Sequence, residues 1–160
     1  MTGLRFAALA LLLTACGGEV AMATPTHHCR SVPSLPPPSA AATPVSATAD
    51  HAQVDPGSTV TFTETAAGPA TVQVDCSQPL QVVVTDGTGL SVYSGSSPAA
   101  PASACVDGEV AVASGVTETY QVIWPVESSI PGGTYTATLI LGDAPELTLT
   151  LAVGTVPGEC

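Results

Sequence analysis

The sequence contains no lysine and only two arginines, Arg5 and Arg30, against 13 acidic residues, for a formal net charge of -11. So little positive charge cannot neutralise a row of phosphates, which argues against nucleic acid as a partner. The same shortage removes direct attraction to an anionic membrane surface and rules out lysine Schiff-base chemistry. The acidity itself serves solubility, through repulsion between like-charged molecules. Histidine is also scarce. His27, His28 and His51 all precede the region patterned as strands, so a Ser-His-Asp arrangement inside that region is not expected. Neither a glycine-rich phosphate loop nor an H-E-x-x-H stretch occurs. The close pairs Asp107 and Glu109, and Asp143 and Glu146, read as loop carboxylates, because a glycosidase pair needs a cleft. "HHC" at 27–29 lacks a second pair of ligands at zinc spacing, and "DGTG" around Asp86 lacks the spaced acids of an EF-hand loop. No catalytic residue, cofactor or metal is expected.

Charged residues make up only 9% of the chain and aromatics 4%. The Glu, Lys, Leu and Gln that fill exposed helix faces are thin. Valine and threonine are abundant instead, and their branched side chains suit pleated strands. The composition therefore points to an all-β chain.

The first 15 residues, "MTGLRFAALALLLTA", place Arg5 ahead of an apolar run from Phe6 to Leu13. That run is shorter than the ~20 residues that span a bilayer, and it matches a cleaved export signal ending in a small residue. "LTAC" at 13–16 resembles the lipobox of bacterial lipoproteins. The resemblance implies cleavage after Ala15 and lipid on the thiol and freed amine of Cys16. Each buried methylene contributes about 0.8 kcal/mol, so two or more acyl chains hold stably where one does not. Gly17 and Gly18 then let the chain leave the surface without strain. Removal of Arg5 leaves one basic residue against 13 acids, a net charge of 1 - 13 = -12.

Residues 16–52 show no hydrophobic period. Their "SVPSLPPPSAAATPVSATA" is rich in Pro, Ala, Ser and Thr, too poor in apolar surface to offset its ordering entropy. The expectation is a disordered, semi-stiff spacer holding a folded domain at 53–160 away from the membrane.

Within 53–160 the pattern alternates with period two. "STVTFTE" sets Val60 and Phe62 against Thr59, Thr61 and Thr63. "ATVQVD", "PLQVVVTD", "GLSVYSG" and "EVAVAS" follow. "TETYQVIWP" puts Tyr120, Val122 and Trp124 on one face, "GTYTATLIL" does so with Tyr135, Ala137, Leu139 and Leu141, and "ELTLTLAV" with Leu147, Leu149, Leu151 and Val153. Asp86-Gly87 is a hairpin turn signal, because both positions tolerate positive φ. Eight single-faced strands separated by Gly, Pro or Asp predict an immunoglobulin-like antiparallel β-sandwich of about 7–8 strands, with a small barrel as the competitor. Phe62, Tyr93, Tyr120, Trp124 and Tyr135 are the expected aromatic core, Trp124 between the sheets. Tyr135, after "PGG", is expected to bond its hydroxyl to nearby backbone.

With Cys16 lipidated, four cysteines remain: Cys29, Cys76, Cys105 and Cys160. An even number in an exported chain indicates two disulfides, and four cysteines allow three connectivities. Cys76–Cys105, both at strand ends, is the favoured pair, leaving Cys29 for Cys160.

The domain resembles the BsuPI-type family, named for an intracellular proteinase inhibitor, and more broadly bacterial Ig-like modules. "QPLQVVVTDGTGLSVYSGS" is similar to its strand–turn–strand, "VASGVTETYQVIWPV" to its segment ending in tryptophan (Gly115, Tyr120, Trp124), and "IPGGTYTATLILG" to its P-G-x-x-Y strand start (Pro131, Gly132, Tyr135). The chain departs from that family in its export signal, its cysteines and its "VDCSQPL" stretch. The expected function is a lipid-anchored module at the bacterial cell envelope, facing periplasm or exterior, that binds an envelope protein or a carbohydrate or supports the envelope. Recognition would fall to the loops Ser94–Ala104 and Glu127–Gly133. The resemblance implies a second reading, in which the chain inhibits a protease through an exposed Ser94–Cys105 loop braced by Cys105.

Overall fold

The structure, a computed structural model, describes residues 35–42 and 44–154. Twelve strands are present among them and no helix. All eight segments read as strands from the alternation form them: β4 (Thr59–Ala67), β5 (Ala70–Gln73), β6 (Leu80–Thr85), β7 (Ser91–Ser96), β9 (Glu109–Val112), β10 (Thr117–Pro125), β11 (Gly133–Leu141) and β12 (Leu147–Val153). Four others are short and lie where no apolar alternation stands out: β1 (Ser39–Ala42), β2 (Val45–Ala49), β3 (Gln53–Val54) and β8 (Cys105–Val106).

The strands form an all-β sandwich. One sheet has the order β1-β2-β4-β10 and the facing sheet β3-β12-β11-β6-β7, while β5-β9-β8 make a small third sheet. Every pairing is antiparallel except β12 with β3, which is parallel and spans only Ala152–Val153. The alternation explains the layering: on β12, Leu147, Leu149, Leu151 and Val153 are buried while Thr148 and Thr150 face outward.

The expectation of a disordered spacer running to residue 52 is corrected by β1 and β2. Val45, Ala47 and Ala49 alternate with Ser46 and Thr48, and all three are buried. Alanine buries too little area to announce a strand, but β2 pairs along β4 from Val45↔Ala66 to Ala49↔Phe62 and extends its sheet. Cross-strand Ser46 and Thr65 hydroxyls add a 2.7 Å hydrogen bond. Residues 39–42 and 45–49 therefore belong to the sandwich, not to a spacer.

The turns also redistribute. Asp86-Gly87 is not a two-residue turn: the β6–β7 loop is longer, and its positive φ falls on Gly89. Asp86 organises it, with Oδ1 accepting from the Thr88 amide, the Thr88 hydroxyl and the Leu90 amide at 2.6–3.0 Å. Those donors hold its carboxyl below the usual carboxylate range. The two-residue Asp-Gly hairpin lies at Asp107-Gly108 between β8 and β9, where φ is 53° and 81° and Val106 pairs with Glu109. Positive φ at both central residues is what Asp-Gly supplies in a tight hairpin.

Candidate functional site

Of the aromatic residues expected in the core, Phe62, Tyr120, Trp124 and Tyr135 are buried. Trp124 on β10 sits at the centre: Phe62 stacks at a centroid distance of 6.4 Å, Tyr135 tilts against it at 6.0 Å from the opposite sheet, and Tyr93 approaches at 6.1 Å. The Tyr135 hydroxyl donates to the Pro131 carbonyl at 2.6 Å, the corner arrangement its position after "PGG" predicts. Tyr93, the fifth aromatic expected in the core, is half-buried. It spans from the facing sheet to β10, its hydroxyl donating to the Ile123 carbonyl at 2.8 Å. Its ring occupies the space a side chain at residue 95 would need, so Gly95 leaves room for it.

The Cys76–Cys105 disulfide is formed, with the two Cα atoms 5.7 Å apart. Cys16, Cys29 and Cys160, with the lipobox and the second disulfide expected of them, lie outside the described residues. So do His27 and His28, while His51 is exposed, 3.9 Å from Asp50. Among the described residues, no group of three or more His, Cys, Asp or Glu side chains could hold a metal ion. One acid of each close pair is bound into the fold: Asp143 accepts from the Gln73 amide at 2.8 Å and Glu109 from the Gln73 side chain at 2.7 Å, both fastening β5.

The disulfide fixes one end of the loop that follows β7. Ser97 fixes the other. It is buried, its amide donates to the Leu80 carbonyl at 2.9 Å, and its hydroxyl accepts from the Leu80 amide at 3.2 Å. Between these anchors the Ala100 amide donates to the Cys76 carbonyl at 2.9 Å, and the Cys105 amide to the Pro101 carbonyl at 3.1 Å. Pro98, Ala99, Pro101, Ala102 and Ser103 remain exposed. The loop Ser94–Ala104 read from the sequence is thus part strand, to Ser96, and part braced loop.

A groove of about 500 Å³ runs between residues 97–101 of this loop and residues 118–121 of β10. One wall is Pro and Ala. The other includes Glu118 and Tyr120, which share the inward phase of β10 with Val122 and Trp124. Tyr120 is therefore not only a core residue. It is 7% exposed, forms part of the groove, and its hydroxyl is buried without a hydrogen-bond partner. Burial, and secondarily the charge of Glu118, push its pKa up.

Directly across the β4–β10 ladder from Tyr120 is Glu64. Glu64 has no solvent exposure, and neither carboxyl oxygen has a hydrogen-bond partner. Desolvation raises its pKa from 4.5 to about 7. The sequence reading did not single it out, yet the signal was present: period two puts residue 64 on the Val60–Phe62 face. The second candidate loop, Glu127–Gly133, does not line this groove. It is tied to its own surroundings through Tyr135–Pro131 and an Ile130 amide to Glu127 carbonyl bond of 3.1 Å.

No known protein family matches the sequence, and no curated protein is similar to it. Among solved structures, the fold is similar to that of the sporulation control protein Spo0M from Bacillus subtilis. The TM-score is 0.46 at 10% identity, over 71% of this chain and 49% of that one. The chain thus spans about half the length of Spo0M.

Proposed function

We propose that the chain is an exported, lipid-anchored β-sandwich module that binds a protein or carbohydrate at the bacterial cell envelope, using the braced loop Ser97–Cys105 and its groove. The observation that carries this reading is the Cys76–Cys105 bridge. Structural disulfides persist in oxidising compartments, in agreement with an apolar leader ending in "LTAC". The bridge also holds an exposed loop beside a groove, which lowers the ordering cost of binding. Lipid at Cys16 would moor the module, and its acidic character would keep it off an anionic surface. Replacing Cys16 with Ser and fractionating the cells tests the anchor: the variant is expected in the soluble fraction, and undiminished membrane retention would refute it.

A second reading, protease inhibition, has one observation in its favour: an exposed Pro-containing loop fixed at both ends, at Ser97 and Cys105. An inhibitor needs a rigid segment that fits a protease cleft and survives there. Unchanged hydrolysis rates for a panel of proteases at excess protein would eliminate it.

A further inference from the structure

β10 is the last strand of its sheet, so one of its two edges has no strand beside it. The bonds on the far side of β4 show which groups that edge carries. The Thr61 amide donates to the Asp50 carboxylate and the Thr61 carbonyl accepts from the Asp50 amide, while the Ala67 amide donates to the Pro44 carbonyl. The odd residues of β4 therefore point towards β2. In an antiparallel ladder the amide and carbonyl of one residue point to the same side, and the sides alternate. The even residues of β4 thus bond the even residues opposite them on β10. Val116 and Val126 continue that phase beyond both ends of β10, with bonds to Gly68 and to Gly57 and Ser58. Thr117, Thr119, Gln121 and Ile123 direct their backbone groups outward. The Ile123 carbonyl takes the Tyr93 hydroxyl. Among the described residues, the amides and carbonyls of Thr119 and Gln121 have no partner.

The groove lies along this edge. Its β10 wall takes in Tyr120, which faces inward, and Thr119 and Gln121, which face outward. Side chains from both faces of one strand meet in a single groove only at the strand's edge. Long edges are normally blunted by lysine, proline or a bulge. β10 runs nine residues in unbroken register, without lysine and with proline only at its last position.

We propose that this groove takes an extended peptide segment of a partner protein, which adds to β10 as a fifth strand and bonds the free backbone groups of Thr119 and Gln121; this rests on the reading above that the groove is the recognition surface. In strand addition the main chain supplies affinity and alternate side chains supply specificity. Every second side chain of the added strand faces the small apolar wall Pro98–Pro101. Glu118 beside it, and a net charge of -11, favour a basic segment over an acidic one. The wall is held by Ser97 and by the disulfide, so the slot exists before the strand arrives. A second copy of the chain is a poorer occupant. It is equally acidic, and a two-fold dimer needs a self-complementary patch, which a groove is not. The described residues begin just before β1 and end just after β12, and these two strands pack together on the side of the sandwich away from β10 and β7.

The test follows amide hydrogen exchange by NMR in the ¹⁵N-labelled mature chain, residues 16–160. The probe is a capped heptapeptide of alternating valine and threonine with arginine at both ends. In the free protein, exchange along β10 is expected to alternate, fast at Thr119 and Gln121 and slow at Tyr120 and Val122. The peptide is expected to slow Thr119 and Gln121 by about tenfold at about ten times its Kd, because exchange then proceeds from the unbound fraction. N-methylation of one alternate set of peptide amides should abolish binding, and of the other set should not, since only one set faces β10. Glutamates in place of the arginines should weaken it. Thr119→Pro removes an outward amide without touching the β4 ladder and should abolish binding with the fold intact. Ala99→Arg, at an exposed position of the groove, should weaken binding without altering a strand. Binding indifferent to both N-methylated sets, or one that leaves Thr119 and Gln121 exchanging fast, would keep the groove as a recognition surface and overturn strand addition. A response to a tetramer of N-acetylglucosamine in place of the peptide would do the same. Silence to both probes would overturn both readings. Slow exchange at Thr119 and Gln121 in the free chain would show a second copy or the chain's own segment in place, told apart by dilution, and would overturn the partner.

Discussion

Glu64 makes stability depend on pH in a direction opposite to that of most carboxylates. Its folded-state pKa is raised from 4.5 to about 7 by desolvation. The folded chain therefore keeps a proton that the unfolded chain has released, and stability falls as pH rises from about 4.5 to about 7, then levels off. Each pKa unit corresponds to about 1.4 kcal/mol. The full shift sets an upper bound of about 3.5 kcal/mol between the two plateaus, and local relaxation around a buried charge brings the expected loss nearer 2 kcal/mol. Asp75 and Asp86 have lowered values, so their contributions are lost only as pH falls through the acid range. Tyr93, Tyr120 and Tyr135 are shifted upward and neutral throughout this window. Urea unfolding followed by the fluorescence of Trp124, the chain's single tryptophan, supplies the assay at about pH 5 and about pH 8. Wild type is expected to lose about 2 kcal/mol between them, and Glu64→Gln to lose almost nothing, whatever its absolute stability. Equal pH dependence in the two proteins would refute the argument that Glu64 titrates inside the fold.

Replacing Cys76 and Cys105 with Ala is expected to cost about 3–4 kcal/mol on the chain-entropy model, given a sequence separation of 29; a reduced and oxidised pair of melts checks it, and equal midpoints would contradict it. Tyr135→Phe removes the bond to the Pro131 carbonyl and should cost about 1 kcal/mol in urea unfolding. Gly95→Ala collides with the Tyr93 ring, so Tyr93 fluorescence and the unfolding midpoint should both change, with a loss of about 1–3 kcal/mol. Deleting residues 35–49 strips β1 and β2 from the sheet and uncovers β4, so that protein should be unfolded by circular dichroism, whereas deletion of a mere spacer would leave the fold intact.

The strands were legible where branched and large apolar residues alternate with threonine, because burial of one face leaves that pattern in the sequence. Phe62, Trp124 and Tyr135 announced the core for the same reason. β1 and β2 were hidden by composition: alanine and serine look alike in a spacer and in a tightly packed edge. The Asp-Gly dipeptides illustrate a different limit. Two occur, at 86–87 and 107–108, and local propensity does not say which will close a two-residue hairpin. That depends on where the flanking strands pair, and only Val106↔Glu109 places a pair directly across the dipeptide. The groove was half legible. Its loop could be read from Pro, Ala and a cysteine at 105, but its second wall, Glu118 to Gln121, comes beside that loop only through the packing of β10.

The central claim is that an acylated cysteine moors a cystine-braced sandwich outside the cytoplasm, and mass spectrometry of the native, non-reduced protein tests it most directly. The account predicts an amino-terminal peptide beginning at lipid-modified Cys16, together with a linked peptide pair joining Cys76 to Cys105. Recovery of peptides from residues 1–15, with free thiols at 76 and 105, would contradict it.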